Sequence, residues 1–334
     1  MGMSKIMNAN ALNLPDAKDL NVLDVEPAGE LQSCNHLLQD FPGLQRFYED
    51  NGYILLRRVL DPRSVEEARD AMLDIAARHG LVRPGDPTGT WTGAAAPPIH
   101  EESPEYRGIS RRMFDNERNL AVMAQVLGEP ACMIPNVQYR LYPPNGPVTI
   151  VHQDGFYSPG IHDYKPVWVT LTPCEREVGG LMVAVGQNKR GYFHNLAKPT
   201  PYPVPEGVID PSSWATTDYM PGDVLLVHPY SPHASRPNRS KRLRVTFDTR
   251  VQSARKPSAM GATVQSVTPN SITVEADGLG LRTYSVNEDT FIRVLDPGIR
   301  EPFARFAQIT KPGMRLLVVV DGDRAVMLRK AAEA

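Results

Sequence analysis

Apolar positions along the chain follow two different periods, and the change between them divides it. Between residues 61 and 80 the period is helical. Asp61-Pro62 offers an N-cap and a first-turn proline, Val65, Ala68, Met72, Ile75 and Ala76 follow at helical spacing, and His79-Gly80 provides a stop. Just ahead of it, Phe47 and Tyr48 end a shorter helical stretch that Gly52 breaks, and Tyr53–Leu56 is an apolar β run. A further helix is predicted over Tyr106–Leu127. Short strands then take over, at Asn136–Tyr142, Thr149–His152, Val167–Leu171, Gly180–Val185, Asp223–Val227 and Arg242–Arg250. Short strands separated by turn signals predict a mainly β protein with flanking helices, built as an antiparallel sandwich or barrel.

Three regions follow. Residues 1–40 hold no sustained period and read as an N-terminal arm, and residues 41–253 carry the helices and strands above. Residues 256–334 read as a small β-rich, barrel-like accessory domain. In it ATVQSVTPNSITVEADG predicts two strands about Pro269-Asn270, LRTYSVNEDTFIRV another, Gly298–Ile309 a short helix, and MRLLVVVDGDRAVMLRK a hairpin turning at Asp321-Gly322-Asp323. This region has no His, Cys or Trp, so packing, homodimerisation or cover for a site suits it better than chemistry. The Pro/Gly/Ala-rich segment 83–104 is long for a plain connection and reads as a lid ordered around Trp91.

Composition narrows the function. Of 334 residues, 41% are hydrophobic and 22% charged, enough for a sizeable core and too apolar for wholesale disorder. Lys+Arg number 36 against Asp+Glu 38, a net charge of −2, which lacks the positive excess of a protein that grips phosphate backbones. Nucleic acid is therefore not the expected partner. Cys34, Cys132 and Cys174 lie far apart, which excludes a disulfide scaffold and a thiolate zinc site. With no signal-peptide pattern and no apolar run of about 18 residues, the expectation is a cytoplasmic protein without a membrane span.

The chemistry centres on Val151-His152-Gln153-Asp154-Gly155. In extended chain, residues two apart face the same way, so His152 and Asp154 project together. An imidazole and a carboxylate on one face are two of the three ligands of a facial triad that suits Fe(II) and leaves coordination positions open. Alone, such a pair is more often a solvated turn or a buried His–Asp hydrogen bond. A second segment, PGDVLLVHPYSPHASRPNRSKRLRVTFDTR, changes the balance: His233 lies beyond a buried strand, and Arg244 follows eleven positions later in the alternating run Arg242–Phe247. A strand that turns Arg244 inward would bury a guanidinium, which is costly unless a carboxylate meets it. A bound carboxylate ligand is a natural partner for that planar fork. His228 competes as a third ligand, but the residue eleven positions after it, Arg239, lies in a loop-like stretch.

These segments resemble the phytanoyl-CoA dioxygenase-like (PhyH) family of Fe(II)/2-oxoglutarate-dependent oxygenases over roughly residues 45–250. The matching elements, in order, are YEDNGYILLRRVLDP, YPPNGP before HQDGFY, VWVTLTPCEREVGGLMVAVG and GDVLLVHPYSPHASRPNRSKRLRVTFD. The resemblance implies a double-stranded β-helix, or jelly roll, with His152, Asp154 and His233 on iron. It implies that Arg244 and Ser235 hold the far carboxylate of 2-oxoglutarate, with Trp168 and Gln138 also beside that cosubstrate. It further implies an O2-consuming oxidation of a small-molecule substrate, a specialised metabolite, most simply a hydroxylation, with desaturation, cyclisation or epoxidation as variants, releasing succinate and CO2. Related halogenases carry a small residue in place of Asp154. A different class of reading is a jelly-roll metabolite-binding or regulatory protein that performs no oxidation. Tyr157, Arg111 and His100 are candidate substrate contacts, against the plainer readings of core packing, a solvated helix face and an ordinary loop. His162 and His194 read as loop residues and Cys174 as packing.

Overall fold

The computed structural model describes residues 26–95, 103–146, 148–158, 160–194, 204–296 and 299–331. After a two-residue strand β1 (Gly29–Glu30), helix α1 (Phe41–Asn51) starts at Asp40, whose side chain accepts from the Gly43 amide, and stops at Gly52 with φ 78°. Strand β2 (Tyr53–Leu56) follows, and α2 (Pro62–Arg78) starts where the sequence indicates, Asp61 accepting from the Ser64 amide. The helix expected over Tyr106–Leu127 is broken into α3 (Ile109–Phe114) and α4 (Glu117–Leu127). Asn116 causes the break: it is extended and caps α4 by accepting from the Arg118 and Asn119 amides, an alternative to continuing the helix.

The strands then build two facing sheets, a jelly roll. β3 (Ala131–Tyr142), β4 (Tyr164–Thr170), β7 (Val224–Val227) and β9 (Arg244–Ser253) join β2 in a five-stranded sheet of order β2-β7-β4-β9-β3. β5 (Leu181–Ala184), β6 (Trp214–Thr216) and β8 (His233–Ser235) join β1 in the order β1-β6-β5-β8. A short helix, α5 (Asp154–Tyr157), lies between β3 and β4. The predicted strand Thr149–His152 does not form a ladder of its own; it bridges β8 at His152–His233 and through the Ser235 amide to the Thr149 carbonyl.

Helices α1–α4 cover the outer face of the larger sheet. Val245, Phe247 and Val251 of β9 and Val137, Tyr139 and Leu141 of β3 pack there with Met72, Phe114 and Met123. A separate apolar cluster, with Trp168, Leu181, Val183, Leu225 and Val227, fills part of the space between the sheets. Because side chains alternate along a strand, the intervening residues of β9 (Arg244, Thr246, Asp248, Arg250) and of β3 (Gln138, Arg140, Tyr142) face the interior of the roll.

Strands β10 (Ala259–Thr268), β11 (Ser271–Ala276), β12 (Gly280–Ser285), β13 (Phe291–Arg293), β14 (Arg315–Asp321) and β15 (Arg324–Lys330) form a sheet of their own, and a β12–β15 pairing closes it. The expected helix before β14 is shorter, a turn at Phe303–Arg305 and then α6 (Phe306–Ile309); Gly298 lies outside the described residues. Most of the expected N-terminal arm and residues 96–102 of the expected lid also lie outside them. Among the described residues no helix is long and apolar enough to cross a membrane.

The Pro221-Gly222-Asp223 turn has a structural task. The Asp223 carboxylate, 3% exposed, accepts from Arg57 Nη1 at 2.8 Å and from the Arg58 and Met220 amides at 2.9 Å each. It ties the end of β2 to the start of β7. Asp223→Ala strands two amides and takes one partner from Arg57, which keeps the Asp218 carbonyl and the Thr217 hydroxyl. Urea denaturation is therefore expected to show a loss of about 2 kcal/mol, below the full cost of a buried pair because Arg57 is partly exposed.

Candidate active site

His152, Asp154 and His233 converge between the two sheets. His152 and His233 exchange backbone hydrogen bonds of 3.0 Å in both directions, which sets their rings side by side with centroids 4.1 Å apart. Asp154, two residues on, opens α5 and reaches the same point. The residue between them holds the segment in place: buried Gln153 donates from Nε2 to the Gly191 and Tyr230 carbonyls and accepts from the Phe193 amide, and its own amide donates to His194 Nε2. Gly155 is needed for close approach, since a Cβ there would lie 2.8 Å from Tyr192 Oη and 3.1 Å from the Pro229 carbonyl.

This donor set fits a divalent iron. One nitrogen or oxygen from each of the three residues lies within 4.8 Å of the others. His152 Nδ1 lies 2.9 Å from the Ile150 carbonyl and His233 Nδ1 3.1 Å from the Ser231 carbonyl, so each Nδ1 carries the proton and each Nε2 lone pair points inward. Asp154 Oδ1 is 3.9 Å from His152 Nε2, and Oδ2 is 3.7 Å from His233 Nε2. Burial, reinforced by the neighbouring His233, pushes His152 down to about 3, which keeps it a neutral ligand. Burial also works against the Asp154 carboxylate, but Arg250 (Nη2 at 3.3 Å) and the two histidines outweigh it and hold the group below its usual range. Two imidazoles and a carboxylate on one side of a cavity leave room for further ligands opposite.

The cavity has an empty volume of about 450 Å³, counting its open mouth, and Gln138, Trp168 and Ser235 line it with the three converging residues. Arg244 lies behind Ser235, 1% exposed. Its Nη2 donates to Ser235 Oγ at 3.1 Å, its Nη1 to the Gly179 carbonyl, and its guanidinium stacks 4.5 Å from the Tyr142 ring. The Tyr157 ring stands edge-on to His152 at 5.8 Å. Arg111 is elsewhere, half-exposed on α3 with Nε 4.0 Å from Asp115, and is not among the described residues that line the cavity. His100 lies outside the described residues. His228 faces Glu49 rather than the cluster, His162 meets Ser258 at the C-terminal sheet, and His194 is buried flat against Phe156 at 4.1 Å.

A set of charges in the cavity wall escaped the sequence reading. Arg140 pairs with Asp248 at 2.9 Å and donates to Tyr142 Oη and Gln138 Oε1, while Arg250 pairs with Asp154. The signal was there in the strands: polar residues at every second position of β3 and β9 cannot face the helices, so they must face inward.

The His152 shift predicts a pH dependence for the metal-free protein. Unfolded, His152 takes up a proton near pH 6.5; folded, it stays neutral down to about 3. The unfolded state thus binds more protons in this window, and stability falls as pH drops from 6.5 towards 3. The metal-free protein is expected to lose stability more steeply over this range than the His152→Gln variant, by up to about 1.4 kcal/mol per pH unit, in chemical denaturation at a series of pH values.

The family model described as phytanoyl-CoA dioxygenase (PhyH) matches residues 48–246. Among curated proteins, the 1-deoxypentalenic acid 11-beta-hydroxylase of Streptomyces arenae is 31% identical over 238 residues, covering 66% of this chain and 84% of that protein. Its counterpart from Streptomyces exfoliatus is 30% identical over the same shares. Among solved structures, the epimerase SnoN in complex with Fe3+, alpha ketoglutarate and nogalamycin RO aligns with 19% identity and a TM-score of 0.48, over 64% of this chain and 85% of that one. The chain belongs to the phytanoyl-CoA dioxygenase (PhyH) family and is an oxygenase of the Fe(II)- and 2-oxoglutarate-dependent type.

Proposed function

We propose that this oxygenase hydroxylates a small specialised metabolite, with His152, Asp154 and His233 as its iron ligands and Arg244 and Ser235 as the anchor of 2-oxoglutarate. The observation that carries this reading is the meeting of two imidazole Nε2 atoms and one carboxylate in a single cavity, with a buried arginine and a hydroxyl at its back wall. When bound, iron and 2-oxoglutarate supply the oxidation, in which O2 is consumed, succinate and CO2 leave, and oxygen enters the substrate. The protein's own residues orient and enclose. Ser235 and Arg244 offer a hydroxyl and a guanidinium to the cosubstrate's far carboxylate, and Gln138 and Trp168 line the cavity along its length. Trp168, Leu181 and Val227 exclude water from the wall next to the reacting centre.

One feature disfavours halogenation, and another favours hydroxylation. Asp154 is present, so the coordination position a halide would need is taken by the protein. Both curated relatives are named for a hydroxylation, and their substrate, by its name, is a carboxylic acid.

Anaerobic addition of Fe(II) and 2-oxoglutarate is expected to give a charge-transfer absorbance that a chelator removes. Asp154→Ala should abolish substrate-stimulated succinate release. Arg244→Ala should raise the KM for 2-oxoglutarate roughly a hundredfold, the loss of a buried charge pair of about 3 kcal/mol. Unchanged succinate release in Asp154→Ala would remove the ligand assignment.

A further inference from the structure

We propose that the C-terminal barrel is a working part of the iron site: through Arg329, Asn136 and Arg250 it sets the position of Asp154. This rests on the reading of Asp154 as an iron ligand. The connection is a continuous set of hydrogen bonds. Arg329 of β15 donates from Nη1 to Asn136 Oδ1 at 2.8 Å, Arg250 donates from Nη1 to the Asn136 carbonyl at 3.3 Å, and Arg250 Nη2 pairs with Asp154 Oδ1 at 3.3 Å.

Local backbone makes the middle step available. The β3–β9 ladder shifts register between Ile134 and Gln138, and Pro135 brings no amide to it. The Asn136 carbonyl is thereby turned away from the ladder towards Arg250, and its side chain towards the barrel. Arg250, 5% exposed, is held by its acceptors, so a displacement of Asn136 displaces the guanidinium and with it the carboxylate. With Arg250 on Oδ1, the other oxygen of Asp154 faces His233.

A second attachment acts on the other side of Asp154. Ile161 and Tyr164, in the segment that leaves α5, pack with Ile134 against Ala259, Leu317, Val319 and Met327 of the barrel. Ser258 Oγ bonds both the amide and the carbonyl of His162, at 3.3 and 3.1 Å. The barrel thus grips the chain on both sides of the carboxylate. Arg250 belongs to β9 of the roll, and Arg329 belongs to β15 of the C-terminal sheet, beyond residue 246 where the family match ends. Arg250, Asn136 and Arg329 are positioning residues: they act through Asp154.

The test is anaerobic Co(II) titration of the full-length protein, following the visible d–d bands, with Fe(II) affinity measured in parallel. Arg329→Ala and Asn136→Ala are expected to weaken Co(II) binding roughly fivefold and to shift the bands, somewhat less than the roughly tenfold or more contributed by direct outer-sphere partners of metal ligands, because both act through Arg250. Arg329→Lys should recover most of the affinity. Arg315→Gln, which removes the pairing of Arg315 with Asp277 elsewhere in the barrel, should bind Co(II) as the wild type does even if it melts earlier. Should Arg329→Ala fail to fold, Asn136→Ala decides, because it keeps the carbonyl that Arg250 uses and loses only the tie to the barrel. Wild-type affinity and spectrum in both alanine variants would overturn the proposal. Absence of Co(II) and Fe(II) binding by the wild type would instead overturn the iron-site reading and this proposal with it.

Discussion

The pair of backbone hydrogen bonds between His152 and His233 joins two stretches of chain that are remote in sequence, and the site depends on that bridge. It places two imidazoles in contact, and each ring is then oriented by a carbonyl two residues before it. Neither ring has freedom to turn its Nε2 away without losing that bond. Asp154 completes the cluster because Gln153, between the two functional residues, is tied to the backbones of two separate loops, at Gly191 and Phe193 and at Tyr230. The cluster is preformed by the protein's own hydrogen bonds.

A preformed cluster of this kind needs a polar interior, and the fold separates that interior from its main core. The larger sheet puts Val245, Phe247 and Val251 under the helices, and the same strand puts Arg244, Asp248 and Arg250 inside the roll. Inside, each charge meets an opposite charge or carbonyls: Arg140 with Asp248, Arg250 with Asp154, Arg244 with the Gly179 carbonyl. Burying such groups singly would be strongly unfavourable, whereas burying them in partnership is tolerated and fixes their geometry. The Arg244 charge behind the cavity is therefore held buried by partners of the protein's own.

The C-terminal barrel fits this picture. Its contacts with the roll fall beside β3 and the segment after α5, the two places from which Asp154 is supported, and they combine an apolar seam with polar ties. An appendage of this size could have docked on the helical face, where it would touch nothing of the site. Docking at the end of β3 and β9 instead extends the wall of the roll.

Much of this was legible from residue order alone. The α2 helix, the β2 run, the hairpin at Asp321-Gly322-Asp323 and the placing of His152 and Asp154 on one face follow from local periods, turn chemistry and short spacings, because those are interactions between near neighbours in the chain. The jelly-roll class and the parts given to His233 and Arg244 came instead from the ordered motifs that resemble the family. The break at Asn116 was also local, a capping preference that competed with an otherwise helical run. Other features were not available locally. Whether His233 or His228 joins the cluster, which acid meets Arg250, and why Asn136 bonds both Arg250 and Arg329 depend on strand pairings across long loops. A one-residue change of register would have reversed each of them. Sequence alone determined which chemical groups this protein carries and on which strands they lie. Only the tertiary structure decided which of them meet, since sheet registry is set by the burial of the whole apolar face rather than by any neighbouring pair of residues.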